Sequence, residues 1–238
     1  MKKFILSGIC FLFSIVMFAQ KEINDANAEV RNVKGFHAIH VATGIQLVLT
    51  QSNTEAVVVS AASLEDRDRI KTVVENGVLK INYDYNFWRL LKERGNRKLK
   101  AYVSIITIDA LHASSGASVN VDGQLKSNRL DIDASSGGVI KGKIEATSID
   151  VDGSSGAVVE ISGTASTLKV EGSSGSVFRG YDLVVENCDA DMSSGANASV
   201  TINKELSAEA SSGGYIAYKG NGVIRNIRTS SGGHVTKK

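Results

Sequence analysis

The sequence predicts an all-β chain wound as a single-stranded parallel β-helix, a solenoid with coils of about 19 residues. Three observations lead there. The triplet Ser-Ser-Gly begins at Ser114, Ser135, Ser154, Ser173, Ser193, Ser211 and Ser230, at steps of 21, 19, 19, 20, 18 and 19 residues. Around each triplet the apolar residues fall on alternate positions, which is the period of a strand. Proline is absent from the whole chain, as suits an object laddered along its length, because proline removes a ladder donor wherever it stands.

The repeats align as columns. Three places before each triplet stand Leu111, Ile132, Val151, Val170, Ala190, Ala208 and Ile227. Five places after its first serine stand Val119, Ile140, Val159, Phe178, Ala198, Ile216 and Val235. One such unit cannot bury its apolar face alone, whereas stacked copies can. A propeller blade needs about twice the length. The triplet is therefore read as the bend between two strands of a coil. Gly116, Gly137, Gly156, Gly175, Gly195, Gly213 and Gly232 are expected to take the positive φ of a tight corner. The serine hydroxyls are expected to bond locally and to line up as a ladder.

The elements follow in chain order. Residues 1–19 have the two lysines and the apolar run of a secretory signal peptide, with cleavage expected after Ala19. Residues 20–34 read as a linker, and residues 35–238 as one β-helix domain. Within it, residues 36–59 read as strand, turn, strand, turn, strand, with Gly44 at the first break. Residues 78–83 and 99–108 are two more strands. Between them lies a basic, aromatic loop, residues 84–98, and residues 109–238 form the regular coils.

Composition excludes several classes. Removing Lys2 and Lys3 with the leader leaves 25 basic residues against 25 acidic ones. A neutral exported chain has no general attraction to nucleic acid or anionic membranes. No later segment is apolar enough to span a bilayer. Cys188 is then the sole cysteine, so no intramolecular disulfide forms, and its inward column predicts a buried, inert thiol. The expected location is the periplasm, the cell surface or the medium.

The stretches "GIQLVLTQ" (44–51), "NGVLKINY" (76–83) and "LHASSGASVNV" (111–121) resemble a bacterial family, the putative auto-transporter adhesins with a head GIN domain. Gln46 stands in place of the Asn of Gly-Ile-Asn, and "SIITIDAL" replaces a segment that usually carries proline. The resemblance covers about residues 35–235. It implies a right-handed single-stranded β-helix in exported or surface proteins of Bacteroidetes-like bacteria, and it brings no catalytic residues with it.

Two features are candidates for function. The loop around "FWRLLKERGNRKLK" (87–100) joins basic groups to the chain's one tryptophan. Trp88, Arg89, Lys92, Arg94 and Arg97 are the expected contacts for a cell-surface glycan or protein; the plain alternative is a loop packed on the solenoid with its charges solvated. The second feature is an acidic column, Asp133, Asp152, Glu171, Asp191 and Glu209, flanked by Asp131, Asp150 and Asp189. It reads either as a solvated edge or as a weak calcium site. No other cofactor is expected. His37, His40 and His112 lack further nameable ligands for zinc. A serine nucleophile needs a base beside it, and five of the seven triplets have no histidine nearby in sequence. The uniform coils leave little material for a catalytic groove, so the expectation is a non-enzymatic adhesion or binding module. A polysaccharide-active enzyme and a purely structural envelope protein are the alternatives. The last coil has no obvious cap, which leaves homo-oligomers through a solenoid end open.

Overall fold

The computed structural model describes residue 25, residues 27–85 and residues 97–238. The leader and most of the basic loop lie outside the described residues.

The regular region is a stack of long strands, each running through a whole coil: β9 (Ser118–Ala134), β10 (Val139–Gly153), β11 (Val158–Gly172), β12 (Val177–Met192) and β13 (Asn197–Ala210). Each pairs in parallel with the next. The register is the one the columns predict: Val119 pairs with Ile140, Ile140 with Val159, and Val159 with Phe178. In β9 the inward residues are Val119, Val121, Leu125, Leu130 and Ile132, all buried. Strict alternation is lost between Leu125 and Leu130, as it must be where a strand bends around the core. β13 is followed by β14 (Tyr215–Lys219) and β15 (Val223–Thr229), both paired to it, and β16 (His234–Lys237) pairs with β14. Every residue of β15 is exposed.

The Ser-Ser-Gly corners are two-residue turns of the primed kind, in which all seven glycines take the expected positive φ. Glycine is not alone in the left-handed region: the second serine is there too, with φ of 51° at Ser115, 49° at Ser136 and 46° at Ser231, beside glycines at 71–77°. The first serine's carbonyl accepts from the amide three residues on, as in Ala117 to Ser114 at 3.0 Å and Gly138 to Ser135 at 2.8 Å. Positive φ at both central residues with this bond defines a type I′ turn, which here joins two strand segments of one coil that pair with neighbouring coils and not with each other. The expected ladder is made by the backbone. The Gly116 amide donates to Ser136 O at 3.0 Å, Gly137 to Ser155 O at 3.0 Å, and so on to Gly213 and Ser231 at 3.1 Å. Among the described residues no hydroxyl of one triplet bonds to a hydroxyl of the next. The hydroxyl of Ser193 instead reaches Gly172 O at 3.5 Å.

The N-terminal part extends the same rod. β2 (Ala38–Val41) and β3 (Gln46–Gln51) lie on β8 (Ala110–Ala113) and β9. Between them Ala42-Thr43-Gly44 makes a further copy of the turn, with φ of 60° and 72° at Thr43 and Gly44. Next, β6 (Val78–Tyr83) stacks on β2 and β7 (Lys100–Ile105) on β3. The pattern then changes hand of pairing. β5 (Ile70–Glu75) joins β6 as an antiparallel hairpin through Asn76-Gly77, while β4 (Ala56–Ser60) pairs antiparallel with β7 and with β1 (Glu29–Arg31). A single helical turn, α1 (Leu64–Asp68), is capped by Ser63, whose hydroxyl accepts from the Asp66 amide at 3.1 Å. One continuous apolar core runs from Phe36 to Tyr218.

Candidate binding surface

The pairing of β6 with β2 and of β7 with β3 fixes where the basic loop emerges. β2 and β3 are joined by the Thr43-Gly44 turn, so the β6–β7 connection occupies the corresponding corner one coil further on. The described residues on either side of the insert, Tyr83 to Tyr85 and Arg97 to Leu99, thus stand at the edge that carries the Ser-Ser-Gly turns. This base is held firmly. The Tyr83 hydroxyl donates to Asp66 Oδ1 at 2.7 Å, and its amide donates to Thr43 Oγ1 at 2.6 Å. Burial and the bond to Asp66 push the Tyr83 phenol up to about 12. Tyr85 packs edge-on against Tyr83, with centroids 5.1 Å apart.

Of the five residues expected to touch a ligand, Trp88, Arg89, Lys92 and Arg94 lie outside the described residues. Arg97 is described. It pairs with Asp66 at 3.6 Å and lies over the Tyr83 ring at 5.7 Å, with its side chain one-fifth exposed. Those contacts make Arg97 part of the loop's foundation.

The acidic column is in register. His40, His112, Asp133, Asp152, Glu171, Asp191, Glu209 and Arg228 are successive neighbours on successive coils, outward from the buried Ile132, Val151, Val170, Ala190 and Ala208. Partial burial, followed by the charges of Asp133 and Glu171, raises the Asp152 pKa. Partial burial, followed by Glu209, Glu171 and Asp189, raises that of Asp191. Arg129 relieves part of the second column, reaching Asp131 at 3.1 Å and Asp150 at 2.6 Å, and Lys169 reaches Glu171 at 2.6 Å. Among the described residues, no three carboxylate, imidazole or thiol groups converge as a metal site would require.

One contact escaped the sequence reading. His40 Nε2 lies 3.2 Å from Ser114 Oγ, bringing a base beside the first triplet from 74 residues away. The only signal was the register of β2 on β8, which single-sequence patterns do not reveal. Burial, then the neighbouring His112, hold the His40 pKa below its usual range. Among the described residues no carboxylate bonds to His40 as a triad would require, and Asp133 pairs with His112 at 3.8 Å. His37 lies apart from this group, paired with Asp109 at 2.8 Å.

A stack of parallel coils that presents fixed outward columns is a β-solenoid. Comparison places it more closely: the chain belongs to the family described as putative auto-transporter adhesin, head GIN domain, whose profile matches residues 35–222. No curated protein sequence matches it. Among solved structures it resembles a putative adhesin of Bacteroides fragilis at TM-score 0.79 and 18% identity, covering 89% of this chain and 96% of that one. A putative adhesin of Parabacteroides merdae superposes at TM-score 0.68 and 16% identity, with 89% and 95% covered. A protein of Parabacteroides distasonis described as a putative lipid binding protein superposes at 0.66 and 18% identity, with 90% and 97% covered. At these identities the structures establish a shared fold. No described helix is long and apolar enough to cross a membrane.

Proposed function

We propose that this protein is a non-enzymatic adhesion module, exported to the cell envelope, which holds a glycan or protein of a cell surface through the insert at residues 84–98. The carrying observation is positional. The described residues that flank the insert lie at the corner matching the Thr43-Gly44 turn, where Tyr83, Asp66 and Arg97 tie them down. A basic, aromatic loop on a rigid support suits binding, because its anchoring cost is already met by the scaffold. The family's adhesin description and the adhesins among the similar folds support the same reading.

The test is a variant carrying W88A, R89A, K92A and R94A, compared with the unaltered protein on immobilised heparin and on whole bacterial and epithelial cells. Binding is expected to fall at least about tenfold, the equivalent of 1.4 kcal/mol, with an unchanged melting curve. Equal retention of both proteins on every surface would refute the role of the insert. Release of reducing ends from a polysaccharide would favour the enzymatic alternative.

A further inference from the structure

A concavity lies on the body of the rod, away from the acidic column. It is a shallow groove of about 890 Å³ on the outer face of the strands that follow the Ser-Ser-Gly turns. Its floor is an outward column in register across six coils: Asn120, Lys141, Glu160, Arg179, Ser199 and Ala217. The floor falls after Arg179, because Ser199 is small and Ala217 is buried. Two tyrosines line the groove. Tyr215 stands in the adjacent column, and Tyr181 sits where β12 departs from the register of its neighbours. Lys219 lies over the Tyr181 ring at 4.9 Å and holds it in place.

Most charges of the floor are paired within it. Lys141 pairs with Glu160 at 3.0 Å and Arg179 approaches the same carboxylate at 3.8 Å, while Asp182 and Lys238, of opposite sign, line the rim. Such a floor, with its central charges already paired, leaves hydrogen bonding and ring stacking as its main means of recognition. From Asn120 to Ser199 it offers a donor or acceptor at each coil, repeated at about 4.8 Å, beside partly buried phenol rings, each an apolar body with a polar edge. A chain of uncharged pyranose rings matches all three properties: hydroxyls in both directions, apolar C–H faces for the tyrosines, and a repeat close to the rung spacing.

We infer that this groove binds a neutral, linear polysaccharide along the rod axis, with Tyr181 and Tyr215 as stacking platforms and the Asn120–Ser199 column as the hydrogen-bonding floor. The inference rests on the adhesion reading and gives it a second, uncharged ligand class at a site separate from the insert. Binding through successive rungs should grow with ligand length and should be insensitive to salt, since the ligand carries no charge.

Cellohexaose, xylohexaose and chitohexaose, with the corresponding trisaccharides, are the probes. Titration is followed by amide chemical shifts of the full chain. At least one hexaose is expected to bind more tightly than its trimer, with shifts centred on residues 177–182, 197–199 and 215–219 and little change on adding salt. Y181A/Y215A should weaken it about tenfold. S199W, which fills the floor without removing a tyrosine, should do the same. Failure of all three hexaoses to bind at millimolar concentration, or binding unaltered in both variants, overturns the inference. Cells held by the unaltered protein despite hexaose failure would leave the adhesion reading standing. Hexaose binding without any cell binding would keep the groove and remove adhesion.

Discussion

The amide of Gly44 donates to the carbonyl of Ser115 at 3.0 Å. That bond joins the N-terminal segment to the first Ser-Ser-Gly turn, and the same geometry then repeats down the edge to Ser231. The Gly-Ile-Gln stretch of this chain is therefore one more rung of the repeat, with Thr43 where the others have a second serine.

Adjacent glycines of one rung should respond differently to the same change. Gly137 has φ of 73° and open space where a Cβ would stand, so Gly137→Ala should cost only the left-handed strain of about 1–2 kcal/mol. At Gly138 a Cβ would meet Ala113 O at 2.2 Å. Gly138→Ala must push two rungs apart and should cost about 3 kcal/mol. Ser136→Asn should be neutral or mildly stabilising, because Asn tolerates positive φ better. Urea midpoints of the three variants test the order.

The acidic column should make the rod less stable as carboxylates ionise. The folded pKa values of Asp152 and Asp191 are raised above those of the unfolded chain, first by burial and then by their acidic neighbours. Between the unfolded and folded values the native state holds more protons, so stability falls as pH rises through that window, and the loss is complete above it. Asp152→Asn and Asp191→Asn should each raise Tm at pH 7. The gain should disappear once pH falls below the unfolded carboxylate value, and it should shrink in high salt. Melting curves across pH 3 to 8 decide this.

Cys188 should report unfolding. Its thiol is buried and pushed up to about 12, chiefly by burial and secondarily by Asp189. An aromatic disulfide reagent at pH 8 should leave the native protein unmodified at this position and label it in concentrated guanidinium. Rapid labelling of the folded chain at Cys188 would contradict the packed interior.

The His40–Ser114 contact should not amount to a hydrolase. Among the described residues no carboxylate bonds to His40, and burial, then the adjacent His112, keep its pKa low, so the imidazole lacks the third group that supports a nucleophile's base. Nitrophenyl acetate hydrolysis should be equal in the unaltered protein and in Ser114→Ala. A difference of tenfold or more would overturn this prediction.

The coils were legible because their signal is local and repeated. Ile132, Val151 and Val170 declare an inward column without any knowledge of pairing. The turn was half legible: glycine signals positive φ by itself, but a serine at φ near 50° does not, since serine serves many kinds of bend. The Thr43-Gly44 rung was hidden because Ala-Thr-Gly does not spell the triplet. The antiparallel additions of β4 and β5 depend on partners far along the chain. For the candidate surfaces, the acidic column followed from the repeat spacing. The foundation of the insert did not, because Asp66, Tyr83 and Arg97 meet only through tertiary packing. The groove likewise emerged only when Tyr181 was displaced at an irregularity in β12.

The bonds linking one turn to the next point along the rod, and this governs how the molecule would carry a load. Tension applied between its two ends would meet the rungs in series, opening them one at a time like the teeth of a zip. Each opened rung would pay out some 19 residues, about 60 Å of extended chain. A tether built this way yields at modest force yet absorbs much work before parting, which suits an object that must hold on in moving fluid.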